Sequence, residues 1–308
     1  MSNAQMPRTF TDQQLVSRYR SMQRLSADAP CTIEQVMRHW TLEHELAQQL
    51  LASTPDTRWT VFEEAYTRLY GELDWLGADG EKPRDELRFR EYELVIGEPP
   101  ADIYEVGSGA GALLMYLAAR GYRCKGTEIT RERGAGRAGI EWGNSDGVHL
   151  DLFESARSYD VVVSSQVIEH IHPSDLVTHL QSARTILRPG GRYVFDTPHR
   201  LHGPMDVSNV FGYEVAAGMH LKEYTFREIR AAAEAAGYSQ VEAIFRLPLK
   251  VQSKLPFRLR PRPSKLFISY LEVVESVLSR IPTHSIRRRV ARAAMVIGFQ
   301  TIFVQLHA

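Results

Sequence analysis

Apolar residues in the first hundred positions recur at helical spacing. Ile33, Val36, Met37 and Trp40 share one face, followed by Leu42, Leu46, Leu50 and Leu51; after the turn-like Ser53-Thr54-Pro55-Asp56 the pattern resumes with Phe62, Ala65, Tyr66, Leu69 and Tyr70. No run there reads as a strand, so residues 1–100 are expected to form an N-terminal helical cap, with residues 77–84 as a Gly- and Pro-containing linker. From Ala101 the texture changes to alternating strand and helix, which predicts an α/β domain over 101–308 with a mostly parallel, doubly wound sheet. Strands are expected at 103–106, 122–129, 148–150, 161–163, 192–196, 241–245 and 301–306. Helices are expected at 112–119, from Pro173 to 187, and from a capping Thr225 to 236. Pro189-Gly190-Gly191 reads as a turn. Residues 247–298 interrupt the scheme with a Pro-broken basic stretch and two helices, 266–279 and 285–297.

Composition changes this picture little. The chain has 308 residues with Lys plus Arg equal to Asp plus Glu, 37 each, so global charge gives no reason to expect a polyanionic partner. Cys31 and Cys124 are too few and too far apart in sequence to suggest a disulfide scaffold. No signal-like apolar region opens the chain, and the expected location is cytoplasmic. The aromatic density of the cap (Trp40, Trp59, Tyr66, Tyr70, Trp75) suits helix packing first and a substrate wall second.

The chemistry concentrates after the first expected strand. Glu105-Val106-Gly107-Ser108-Gly109-Ala110-Gly111 joins a strand to a helix, where glycines let backbone approach a ligand and the helix start offers free N–H groups. Glu128 ends the next strand, where a carboxylate can accept both hydroxyls of a ribose. The spacing Gly-x-Gly-x-Gly is one residue short of the dinucleotide fingerprint. An acid directly ahead of the loop, Glu105, would repel a pyrophosphate but attract an ammonium.

Residues 105–111 resemble motif I of the class I S-adenosylmethionine (SAM)-dependent methyltransferases, and the likeness extends from about 103 to 245. The resemblance implies that Glu105, Gly107, Ser108, Gly109, Gly111, Glu128, Ile129, Asp151, Leu152 and Gln166 line the cofactor site, with Asp151 beside the adenine. It also implies a Rossmann-like, seven-stranded sheet whose antiparallel last strand is inserted between the fifth and sixth, making residues 247–298 an insertion in the final hairpin.

Gln166-Val167-Ile168-Glu169-His170 is similar to a segment of the ubiquinone-biosynthesis O-methyltransferases and small-RNA 2′-O-methyltransferases. Some of these hold a divalent metal through an earlier acid and the Glu-His pair. Gln166 stands in place of that acid, so no metal is expected, although Glu169, His170 and His172 form an alternative ligand set. Methyl transfer to a hydroxyl calls for positioning and a base, for which His170, then His199, then His220 are the candidates. The expected reaction is transfer from SAM to a hydroxyl of a small, phosphorylated, sugar- or lipid-linked acceptor. The alternatives are an NAD(P)-dependent oxidoreductase and a non-catalytic SAM-binding protein. The basic insertion suggests either a structural cap or peripheral contact with an anionic membrane; nucleic acid is disfavoured because no binding module accompanies the patch.

Overall fold

The cap helices start where the sequence provides their caps. In the computed structural model, which describes residues 10–26, 28–73, 83–130, 133, 139–246, 260–293 and 301–308, α1 (Asp12–Gln23) and α2 (Ile33–Ala52) each follow a threonine in a capping box. Its hydroxyl accepts from the third helical N–H while a glutamine reaches back, satisfying two otherwise orphaned donors. α3 (Arg58–Glu72) packs on α2 through Phe62, Ala65 and Leu69 against Leu42, Leu46 and Leu50. α4 (Pro83–Ile96) belongs to another layer: Tyr92, Val95 and Ile96 pack with Ile103, Leu113, Leu117 and Val163 on one face of the sheet. The linker residues 77–82, and Trp75, lie outside the described residues.

The strands are β1 (Asp102–Val106), β2 (Arg123–Glu128), β3 (Ile140–Asn144), β4 (Tyr159–Ser165), β5 (Leu187–Pro198), β6 (Gln240–Phe245), β7 (Arg262–Ser264) and β8 (Thr301–His307). They form one sheet in the order β3-β2-β1-β4-β5-β8-β6-β7. β1 to β5 are mutually parallel, while β8 runs antiparallel between β5 and β6. The near-continuous apolar runs of β1 and β4 follow from burial on both faces. This is the Rossmann-like, antiparallel-ended arrangement that the motifs imply. The sheet has eight strands instead of seven because β7 adds antiparallel to β6. Its three residues include Pro263, which an edge strand tolerates.

Two further differences matter for the site. The third strand lies at Ile140–Asn144, and residues 150–152 form a short 3-10 turn; Val148 and Leu150 alternate with His149 but pack into the core without pairing in the sheet. Pro189-Gly190-Gly191 sits inside β5 as a bulge, where the pairing jumps from Tyr159↔Leu187 to Val161↔Arg192 and Gly190 takes φ 79°. The remaining helices are α5 (Ala112–Ala118), α6 (Leu176–Ile186), α7 (Phe226–Ala235), α8 (Lys265–Ser279) and α9 (His284–Ala293). Lys250, Lys254 and Arg258 of the basic stretch lie outside the described residues.

Candidate functional site

Strand order reverses between β1 and β4, and a crevice opens there at the carboxyl ends of the strands. It is a cavity of about 1000 Å³, floored by the glycine loop and roofed by α2, α3 and α4. The loop is held by short-range bonds: Ser108 donates its N–H to the Thr127 carbonyl (3.0 Å) and its hydroxyl to the Glu105 carbonyl (3.0 Å). Gly107 and Gly109 adopt left-handed φ of 63° and 58°, and a Cβ on Gly107 would stand 2.7 Å from Val167. Only glycine permits both the conformation and the approach.

Gly126, inside β2, is a residue the sequence reading passed over. A Cβ there would meet Leu114 at 2.6 Å and the Ser108 hydroxyl at 2.7 Å, so it admits the loop and α5 onto the strand. A lone glycine inside a strand pattern is the signal that could have found it.

Glu105 is buried, and its Oε2 has no hydrogen-bond partner among the described residues. Burial, reinforced by the neighbouring Glu128, pushes its carboxyl well above the usual range, with Arg88 opposing. Glu128 is also raised by burial, against the pull of Arg133 and of two N–H groups: Gly109 (2.6 Å to Oε1) and Ile129 (3.2 Å to Oε2). Two buried carboxylates facing a cavity, one unpartnered, form a site that favours a cation. The ammonium and sulfonium of SAM supply positive charge, and its ribose suits the acid at the end of β2. On that ground the residues present fit SAM.

Of the expected cofactor residues, Glu105, Gly107, Ser108, Gly109, Glu128, Ile129 and Gln166 line the cavity. Gly111 does not; it is the N-cap of α5, at φ 78°. Asp151 and Leu152 lie on the exposed 3-10 turn outside the lining. With β3 ending at Asn144, the acid at this edge is Asp146, which lines the cavity. Its carboxylate accepts from the N–H groups of Val148 and His149, both at 2.8 Å. Gln166 holds an uncommon φ of 59°, and its amide donates to Asp196 (3.0 Å). Asp196 also takes Arg88, at 2.9 Å to each oxygen, and Tyr92. Arg88 and Asp196 were not singled out in the sequence; their partnership spans 108 positions.

The three candidate histidines separate. His170 lines the cavity. Its Nδ1 lies 2.8 Å from the Met219 carbonyl, which can only accept, so Nδ1 carries the proton and Nε2 is the unprotonated nitrogen of the neutral ring. Burial, with His220 nearby, lowers its pKa to about 3. His220 sits 5.0 Å from His170, ring to ring, but outside the cavity lining. Burial alone would lower its pKa, but the hydrogen bond to Glu223 (2.9 Å) and the charges of Glu169 and Asp206 raise it to about 9. His199 lies apart, fully buried, with Nε2 2.6 Å from Glu275 on α8 and Nδ1 accepting from the Leu201 N–H. That position ties the loop after β5 to the insertion and places His199 outside the cavity.

Glu169, His170 and His220 have ligand-type atoms within 4.8 Å of one another. Glu169 is buried, its Oε1 has no hydrogen-bond partner among the described residues, and burial raises its carboxyl to about 7. His172, the third member of the alternative ligand set, instead bonds Ser174 (2.7 Å). The roof is aromatic: Trp59, Phe62, Tyr66 and Tyr70 of α3 line the cavity while Trp40 packs elsewhere, against Phe211 and Tyr213. The buried Tyr66 hydroxyl has no partner among the described residues. Arg58 pins the roof to the floor, donating to Asp175 (2.5 Å) and Ser174 (3.2 Å) while holding the Ser53 carbonyl (2.9 Å).

The family described as methyltransferase domain matches residues 80–243, just over half of the chain. The chain is 30% identical over 107 residues to a ubiquinone biosynthesis O-methyltransferase of Ralstonia nicotianae. That match covers 32% of this chain and 43% of the relative, so the chain spans less than half of that protein's length. A solved SAM dependent methyltransferase from Archaeoglobus fulgidus is 16% identical with a TM-score of 0.48, covering 79% of this chain and 99% of its own. The 1,6-didemethyltoxoflavin-N1-methyltransferase of Burkholderia thailandensis is 14% identical with a TM-score of 0.48, covering 83% and 90% respectively.

Proposed function

The chain belongs to the methyltransferase-domain family, and from that premise we propose that it is a SAM-dependent methyltransferase whose acceptor atom is a hydroxyl oxygen. The observation that carries this reading is His170, a neutral imidazole at the cavity wall whose Nδ1 is committed to the Met219 carbonyl and whose Nε2 is left as the base. Bound against Glu105, the glycine loop and Glu128, SAM supplies an electrophilic methyl. Everything else falls to the protein. The roof helices exclude water, Tyr66 offers an unpaired hydroxyl, and His170 takes the acceptor's proton as its oxygen is alkylated.

The aromatic roof favours a flat or apolar body, including a ring that carries a lipid tail. Methyl-labelled SAM offered with a panel of phenols, alcohols and amines tests the reading. Label should enter an O-methyl product, and His170→Asn should lower kcat about 100-fold or more with SAM affinity unchanged. Label in an N-methyl product, or an undiminished kcat in that variant, would overturn it.

A second reading has its own observation. Glu169, His170 and His220 gather their ligand-type atoms, and Glu223 and the Met219 carbonyl occupy Nδ1 of the two rings, so that a divalent cation would take Nε2 of His170 and, by displacing its proton, Nε2 of His220. Such an ion would acidify an acceptor hydroxyl directly. Because Gln166 stands where an acid would complete the set, we expect transfer to survive exhaustive chelation. Loss with EDTA and recovery with Mg²⁺ or Mn²⁺ would decide for the cation.

A further inference from the structure

Between Lys250 and Arg292 the sequence has eleven Lys and Arg residues against two acids, in a chain whose net charge is zero. The described part of this insertion turns both acids inward. Glu275 is buried, 2.6 Å from Nε2 of His199 and accepting from the first N–H groups of α7. Glu272 pairs with Arg230 of α7 at 2.8 Å. The opposite face of α8 is apolar and exposed: Leu266 (84%), Tyr270, Val273 (63%) and Val277. At about 100° per residue these four fall within roughly 60° of the helix circumference, a single stripe. On α9, Ile286 and Val290 are also exposed, one turn apart. Arg260, Arg262, Lys265, Arg280 and Arg289 are exposed around these helices, and none has an ion-pair partner among the described residues.

We propose that the outer face of α8 and α9 docks on an anionic phospholipid surface. The inward side of α8 explains its fold through Ile268, Leu271 and Leu278, so core packing leaves the outward stripe unaccounted for. A membrane interface meets both outward features at once: headgroup phosphates for the cations, and the acyl boundary for Leu266, Val273 and Val277, with Tyr270 at the level where aromatic hydroxyls sit. A second copy of the chain is less suited. A two-fold contact through this face would set one cationic rim against another. The positive charge also differs in role along α9. Arg288 turns inward, donating to the His202 carbonyl (3.1 Å) and the Asn209 side chain (3.2 Å), so it braces the fold while Arg289 faces out. This inference extends the proposed lipid-tailed acceptor, although docking itself does not depend on the transfer reaction.

Sedimentation of the full chain with phosphatidylcholine vesicles, with and without phosphatidylglycerol, tests it. The protein should pellet only with the anionic vesicles and lose most binding at 1 M salt, where the Debye length is about 3 Å. Arg262→Gln, Lys265→Gln and Arg280→Gln together should weaken partitioning about 100-fold, at roughly fivefold per cation. Val273→Glu with Val277→Glu should weaken it about tenfold or more. Both variants should bind SAM as the wild type does, which shows that they fold and separates this test from the proposed chemistry. No pelleting by the wild type, or equal pelleting by the variants, would overturn the proposal. A wild-type dimer that Val273→Glu with Val277→Glu dissociates, without loss of vesicle binding, would assign the face to self-association instead.

Discussion

Replacing Glu105 by Gln keeps the shape of the cavity floor and removes one charge. Glu105 is only 3% exposed and its Oε2 has no partner among the described residues, so a cation arriving there meets a carboxylate that nothing else satisfies. A charge-assisted hydrogen bond in such a place contributes about 1.5–3 kcal/mol. The Gln variant should therefore bind SAM about 10- to 150-fold more weakly.

The same carboxyl makes binding pH-dependent, and the sign follows from its surroundings. Burial and Glu128 raise the pKa of Glu105 in the folded protein, so the native state holds a proton that the unfolded chain has already released. Stability of the cation-free protein therefore falls as pH rises from the unfolded carboxyl value through the raised folded one, the reverse of an ordinary ion-paired acid. SAM favours the ionised form, so binding expels the proton, and affinity should climb with pH by up to about tenfold per unit below the raised value. Titration calorimetry in two buffers of different ionisation enthalpy counts the protons released. Glu105→Gln should lower that count, flatten the slope and weaken binding. Unchanged affinity and an unchanged proton count in the variant would refute the assignment of Glu105 as the cation's partner.

Other consequences follow from the same geometry. Glu128→Ala removes the acceptor of the Gly109 N–H as well as the carboxylate proposed for the ribose, and should cost SAM binding more than tenfold, about 1.5 kcal/mol or more, by calorimetry; tight NAD binding with no heat from SAM would sink the cofactor reading. Arg58→Ala leaves the half-buried Asp175 unpaired and should destabilise the fold by about 3–5 kcal/mol in urea titration, with part restored in the Arg58→Ala, Asp175→Ala double variant; equal losses in both would show that the pair itself does not matter. Tyr66→Phe relieves a buried hydroxyl with no partner and should leave the fold equal or about 1 kcal/mol more stable. The same change should raise KM for the acceptor, and an unchanged KM would remove Tyr66 from the acceptor side.

How much of this could be read from the chain depends on how local each feature is. Strand, glycine turn and helix follow one another within residues 102–118, so periodicity and the five residues from Gly107 to Gly111 locate the cofactor end. The capping box at Thr225 and Glu228 is equally local, and α7 begins there. The third strand was misplaced because Val148 and Leu150 are apolar for another reason: both belong to the core beneath the 3-10 turn. With the strand at Ile140–Asn144, the acid that lines the cavity at this edge is Asp146, and Asp151 lies outside the lining. β7 could not be foreseen, since three residues containing a proline give no alternating pattern.

The proposed acceptor side escaped the sequence for a different reason. Its wall combines α2 and α3 of the cap with the turn after β4 and the loop near Met219, three segments separated by about a hundred and by fifty residues. Each looks ordinary alone: aromatic residues at helical spacing are what a packed helix requires, and Trp40 shows that such a residue can do only that. His199 illustrates the converse. It follows a strand end, where catalytic residues gather, yet an acid 76 positions away holds it in the interior. The cofactor end is carried by the strand ends and turns from Glu105 to Gln166. The proposed acceptor end depends on how the cap docks, a contact set by Arg58 and Asp175 and by the packing of α1 on Val207 and Phe211. Changing the cap helices should therefore alter which acceptor is methylated while leaving the grip on SAM in place.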